Sequence, residues 1–146
     1  MLLEDIEKQW AEDVEINPLK LDSESLKIPK LHAKYYKILV HEKMVLIKLK
    51  TKLEEKEHVL EQFYNKTLTI EELNHYNLPL VQDKKVMRQD IPTVIANRPD
   101  VIELKTKVGV QHIKIEFLES ILKSIQGRNW NIRDAIEWRK FENGSY

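Results

Sequence analysis

The sequence predicts an all-α protein. Three observations carry that expectation. Glycine and proline are scarce, at three and five residues. Charged residues make up 33% of the chain. Apolar residues recur at alternating spacings of three and four, drawing two long amphipathic helices. The two are expected to pack antiparallel, with short helices before and after them. A chain of 146 residues is long enough for one domain with its own core.

Leu2 to Val14 reads as a short acidic helix, with Leu3, Ile6, Trp10 and Val14 on one face. Asn17-Pro18 breaks it. Asp22 or Ser23 then offers a cap for the first long helix, expected over Ser23–Tyr64. Leu39, Leu46, Leu53 and Leu60 recur there every seven residues, with Tyr35, Leu49 and Phe63 at offset positions. Glu42 and Lys56 interrupt this seam. Pro29 either sits in the first turns or kinks the helix.

After a polar connection, Thr69-Ile70-Glu71-Glu72 has capping-box spacing for a short helix to about Tyr76, which Asn77-Leu78-Pro79 ends. Val81–Ala96 reads as helix or as a short extended segment, because Pro92 interrupts an otherwise helical pattern. Arg98-Pro99-Asp100 opens the second long helix, since proline and aspartate suit a first turn. Val101, Leu104, Val108, Ile115, Leu118, Leu122 and Ile125 carry its seam to Gln126. Gly127 is the expected stop. Asn131 would cap a last helix, Ile132–Phe141, ended by Asn143-Gly144. Trp130, Trp138 and Phe141 cluster in it, either closing the domain's own core or forming an interface. No internal repeat is visible.

The chemistry expected of the chain is non-catalytic. There is no cysteine, which excludes disulfides and thiolate zinc sites. The three glycines are too dispersed for a phosphate-cradling loop, so a P-loop ATPase is excluded. The five histidines match no metal-ligand spacing, and no carboxylate pair stands out as a dyad. No metal or cofactor is expected. The start, Met1-Leu2-Leu3-Glu4-Asp5, is acidic and unlike a signal peptide. No apolar run approaches the roughly 18 residues of a spanning helix.

Net charge is zero, yet the charge is segregated. Met1–Glu24 holds eight carboxylates against two lysines. From Lys27 to Lys52 the chain carries eight lysines and a single carboxylate, Glu42. Lys27, Lys30, Lys34, Lys37, His41 and Lys48 share a face roughly opposite the leucine seam, and Lys43, Lys50 and Lys52 flank it. A charge run on a helix is most simply a solvated face, but few carboxylates lie within a turn to pair these lysines, which favours a polyanion. Tyr35 and Tyr36 are interleaved with the lysines, and Phe63, Tyr64 and Lys66 close the helix. Lysines along a backbone with aromatic faces for bases is how single strands are bound without sequence preference. For Tyr35 and Phe63, both on the seam, core packing is the simpler reading. The acidic first helix could mask the lysines or meet a basic partner.

Several stretches carry a family resemblance. They are Leu3-Glu4-Asp5; Pro29-Lys30-Leu31-His32-Ala33-Lys34-Tyr35-Tyr36; Phe63-Tyr64; Glu119-Ser120-Ile121-Leu122-Lys123-Ser124-Ile125; Arg128-Asn129-Trp130; and Ala135-Ile136-Glu137-Trp138-Arg139-Lys140-Phe141. Over nearly its whole length the chain resembles the UvsY family of phage recombination mediators. The resemblance implies a small helical protein that binds single-stranded DNA and forms a ring-like homo-oligomer. It implies two protein partners, a RecA-like recombinase and the phage single-strand-binding protein, in the cytoplasm of an infected bacterium. It also implies a C-terminal assembly element, here about 101–141, for which Leu118, Leu122, Ile125, Trp130, Ile136, Trp138 and Phe141 are the candidates. Some members carry a Lys-x-Arg pair before the paired aromatics. This chain has His58-Val59-Leu60 there, so that role is not carried over. Lys50-Thr51-Lys52 supplies similar charge about two turns earlier.

Two other classes compete with a DNA-binding assembly factor. One is a structural helical oligomer whose basic face pairs with a neighbour's acidic helix. The weaker one is a basic helix lying on a membrane, because the face opposite the lysines reads as a core seam rather than a lipid-inserting surface.

Overall fold

The structure is a computed structural model that describes residues 1–81 and 85–144. The helices α1 (Leu3–Asp13), α2 (Leu21–Tyr64), α3 (Ile70–His75), α4 (Ile91–Ala96) and α5 (Pro99–Glu142) follow in order, with one 3-10 turn at Arg88–Asp90. Among the described residues there is no strand.

Helix α2 starts at Leu21, ahead of both residues expected to cap it, so Asp22 and Ser23 lie in its first turn. Asp22 there still complements the positive end of the helix. Pro29 is inside α2. At the other end, the Thr67 N–H donates to the Gln62 carbonyl and Lys66 N–H to the Phe63 carbonyl. That is a Schellman closure, and it holds Lys66 at φ 60 where glycine is usual. In α3 the Thr69 hydroxyl accepts from the Glu72 N–H at 3.2 Å and the Glu72 carboxylate accepts from the Thr69 N–H at 3.3 Å. The expected capping box is therefore present.

Pro92 begins a helix rather than interrupting one, because it occupies the first turn of α4, where no N–H is required. Residues 82–84, part of the ambiguous segment, lie outside the described residues. Helix α5 starts at Pro99 as expected but does not stop at Gly127. No separate last helix begins at Asn131. The reason is visible in the packing: buried Ile121, Ile125, Arg128 and Ile132 carry one face straight through the glycine. A helical glycine costs only about 1 kcal/mol relative to alanine, which continued burial offsets.

The chain forms two compact units, 1–44 with 112–146, and 45–111. In the first unit, Ile6, Leu21, Ile28, Tyr35 and Leu39 are buried together with Ile115, Leu118, Ile121, Leu122, Ile125 and Ile132. Glu42, the impurity in the seam, is buried here too. Its carboxylate lies 3.3 Å from the Lys114 ammonium and 3.7 Å from the Met1 ammonium. In the second unit, Leu60, Phe63, Ile91, Ile95 and Val101 form the core, bordered by Leu53, Tyr64, Leu68, Leu73, Leu78 and Val86. Within this unit Lys56 pairs with Asp100 and the Tyr64 hydroxyl accepts from Arg98, which ties the end of α2 to the start of α5.

Candidate nucleic-acid interface

The basic face of α2 is at the surface. Lys27, Lys30, Lys34 and Lys37 in the first unit are exposed, as are Lys48, Lys50, Lys52 and Lys66 in the second. The seam residues on the same helix are turned inward, which is what fixes the lysines outward. Among the described residues, Lys30, Lys37, Lys48, Lys50, Lys52 and Lys66 form no ion pair. Lys27 lies 3.1 Å from the Glu24 carboxylate, and Lys43 lies 3.7 Å from that of Glu119.

Lys34 is different. Its ammonium lies 2.6 Å from the Asp13 carboxylate at the end of α1. The same carboxylate oxygen accepts from the Tyr35 hydroxyl at 2.7 Å. Burial opposes ionisation of Asp13, but hydrogen bonds from Lys34 and Tyr35 outweigh it and hold the carboxyl below its usual value. Burial first, and the Asp13 carboxylate second, push the Tyr35 phenol up. Tyr35 is fully buried, edge-on to Trp10 with ring centres 5.5 Å apart. The Arg128 guanidinium covers Trp10 at 5.5 Å and donates to the Asp13 carbonyl at 2.6 Å. Tyr35 is thus a core residue, whereas Tyr36 is 54% exposed between Lys34 and Lys37 and stacks on His32.

In the second unit the paired aromatics divide. Phe63, a candidate DNA contact for which core packing is the simpler reading of its seam position, is only 5% exposed because it faces Ile91, Ile95 and Val101. It is a core residue, not a stacking platform. Tyr64 is half-buried, and its hydroxyl accepts from Arg98 at 2.9 Å. Arg98 also donates through two nitrogens to both Asp100 oxygens, at 3.0 and 2.9 Å. Lys56 adds a 3.1 Å contact to Asp100. The Arg98 fork, with Lys56 behind it, holds the Asp100 carboxyl well below the usual range. Beside this cluster is a groove of about 860 Å³ of mixed charge, whose walls include Lys52, Lys56, Tyr76, Arg98 and Lys107 together with Glu55, Asp100 and Glu103. Arg98, Lys107 and Tyr76 were not legible as site residues, because they lie far from the lysine run in sequence.

The expected assembly residues also divide. Leu118, Leu122 and Ile125 are 0%, 7% and 0% exposed, so the core of their own unit already covers them. Burial within this chain accounts for these three candidates without a partner. Trp130, Trp138 and Phe141 are 64%, 61% and 58% exposed, and Ile136 sits near them at the surface. Trp138 and Phe141 stack at 5.6 Å, and Arg133 covers the Trp130 ring at 5.4 Å. The aromatic cluster does not close this chain's core.

Among the described residues, no group of three or more histidines and carboxylates is placed to hold a metal ion. Among the same residues no helix is long and apolar enough to cross a membrane.

Three comparisons bear on this arrangement. The family model described as "Recombination, repair and ssDNA binding protein UvsY" matches residues 9–145. Among the curated proteins no sequence has a significant match. Among solved structures, the chain is similar to crystal structures of the bacteriophage T4 recombination mediator protein UvsY. The lattice type II form superposes with a TM-score of 0.83 at 20% identity, covering 98% of this chain and 98% of that one. The type IV form gives 0.77 at 20% identity, over 97% and 99%. The type I form gives 0.79 at 18% identity, over 94% and 98%. The family match spans far more than half of the sequence, and the same fold recurs along the length of both chains: this chain belongs to the UvsY family of recombination, repair and single-stranded-DNA-binding proteins.

Proposed function

We propose that this protein is a recombination mediator that binds single-stranded DNA and helps load a RecA-like recombinase where single-strand-binding protein already covers the strand. It acts without catalysis, as a homo-oligomer, in the cytoplasm of an infected bacterial host. The observation that carries the reading is the set of exposed lysines on α2 that form no ion pair among the described residues, in a chain whose family is described as binding single strands. Lysines on successive turns of one helix can follow a phosphate backbone, and Tyr36 offers an exposed ring beside them. The exposed aromatics Trp130, Trp138 and Phe141 favour assembly through the end of α5. Oligomerisation would multiply the phosphate contacts on one strand.

The competing structural reading pairs the lysines with a neighbour's α1. Two features weigh against it: Asp13 already pairs with Lys34 of its own chain, and Lys30, Lys37, Lys48, Lys50 and Lys52 form no ion pair among the described residues. The test is recombinase filament assembly on an oligonucleotide covered by single-strand-binding protein, all from one phage. The protein should shorten the lag before assembly. An unchanged lag at saturating protein, with DNA binding intact, would refute the loading role.

A further inference from the structure

Helix α2 carries exposed apolar residues, Val40 and Met44, that neither the core nor a DNA strand explains. Tyr36, Val40 and Met44 follow one another at four-residue spacing within the first unit, and they are 54%, 41% and 55% exposed. Residues four apart share one side of a helix, so the three form a continuous stripe about 12 Å long. Ala33, also exposed, extends it by one residue. A nucleic acid strand gains from lysines and an aromatic ring, but exposed valine and methionine give it nothing. Methionine at an exposed helix face is instead suited to adaptable packing against another protein.

The edges of the stripe define what would cover it. Lys37, one residue after Tyr36, lies on one side and forms no ion pair among the described residues. Lys43, one residue before Met44, lies on the other and contacts Glu119 only loosely at 3.7 Å. Each edge therefore carries a lysine, Lys43 shared with the exposed Glu119 carboxylate. An apolar stripe with a cationic rim on each side complements an amphipathic helix with an apolar seam and acidic flanks. The chain's own acidic helix is already engaged: Ile6, on the apolar side of α1, is fully buried in the first unit. We infer that the Tyr36–Val40–Met44 face of α2 is a docking surface for an acidic amphipathic helix of a partner protein.

This goes beyond DNA binding and does not depend on it. Because Lys37 would serve both ligands, the helix and the strand should compete.

The probe is a synthetic peptide of about three heptads, with leucine at a and d and glutamate at e and g, labelled for fluorescence anisotropy with the full chain. The controls are poly-glutamate of equal charge and a scrambled peptide of the same composition. The comparison variants are Val40→Ser with Met44→Ser, and Val40→Ala with Met44→Ala, which keeps helix propensity high. The inference expects the helical probe to bind at least tenfold more tightly than either control. Both variants should weaken the probe at least fivefold while leaving oligonucleotide affinity within twofold. Excess oligonucleotide should displace the probe. Equal binding of poly-glutamate, or a probe indifferent to both variants, would overturn the docking surface and leave a general attraction for polyanions. Oligonucleotide affinity falling in step with the probe would also overturn it, since the stripe would then belong to the strand.

Discussion

Lys34 and Asp13 meet at 2.6 Å, so one member of the basic stripe is neutralised by the acidic helix α1 of its own chain. Asp13 cannot serve Lys34 and leave it to a phosphate at the same time. The pair therefore sets DNA affinity against the anchoring of α1. Asp13→Asn should release Lys34, raising affinity for a single-stranded oligonucleotide and steepening the log–log salt slope by about 0.7, the increment of one phosphate contact. The Lys34 side chain is 41% exposed, so screening reduces what the pair contributes. The stability loss should be about 1 kcal/mol, read from urea unfolding. A slope unchanged in the variant would show that Lys34 never reaches the strand.

Acid should undo the same contacts. Asp13 and Asp100 both have carboxyl groups held below the ordinary 3.8. A depressed carboxyl stabilises the fold above its unfolded pKa, and that contribution is lost as pH falls through the folded value. Stability should therefore hold from neutrality to about pH 4 and decline below it. Asp100→Asn removes the larger of the two effects, so its unfolding free energy should depend less on pH in that range. Identical acid profiles for the variant and the parent would contradict the assignment.

The buried and exposed apolar residues of α5 should respond oppositely. Leu122→Ala empties part of the first unit's core and should cost about 2–5 kcal/mol. Trp138→Ala removes an exposed ring, so it should leave stability of the unit nearly unchanged and shift sedimentation towards smaller species. If Trp138→Ala lowers the melting temperature at dilution while the oligomer holds, the ring belongs to the fold and not to assembly.

Sequence pattern reached most of the helical framework because burial follows spacing. Tyr35, Leu39, Leu60 and Phe63 are inward where the seam requires it, and the lysines are outward for the same reason. The failures have local causes. Gly127 looked like a stop because a cap and continued burial are indistinguishable until Arg128 and Ile132 are seen inside. Pro92 looked like a breaker because its place in the first turn depends on where α4 begins. Leu118, Leu122 and Ile125 were candidates for assembly, yet they are buried in their own unit, because apolar periodicity does not say whether the covering element is in the same chain. Arg98 and Tyr76 stayed hidden because only folding brings them beside Lys52.

Gly127 gives that point a direct check. It lies within α5, and a Cβ added there would meet nothing within 4 Å. Gly127→Ala should therefore stabilise the protein by about 0.5–1 kcal/mol in urea unfolding. Destabilisation would mean that α5 bends or ends at Gly127.

The central claim is that α2 binds single strands through its unpaired lysines. The most direct measurement is oligonucleotide affinity against salt for a variant with Lys30, Lys37, Lys48 and Lys52 all replaced by glutamine. All four are exposed and free of ion pairs among the described residues, so melting temperature and oligomer size should hold. The account predicts at least a tenfold loss of affinity near 0.1 M salt and a log–log slope shallower by up to about 3, at roughly 0.7 per lost phosphate contact. Undiminished affinity with an unchanged slope, in a folded and fully assembled variant, would contradict it.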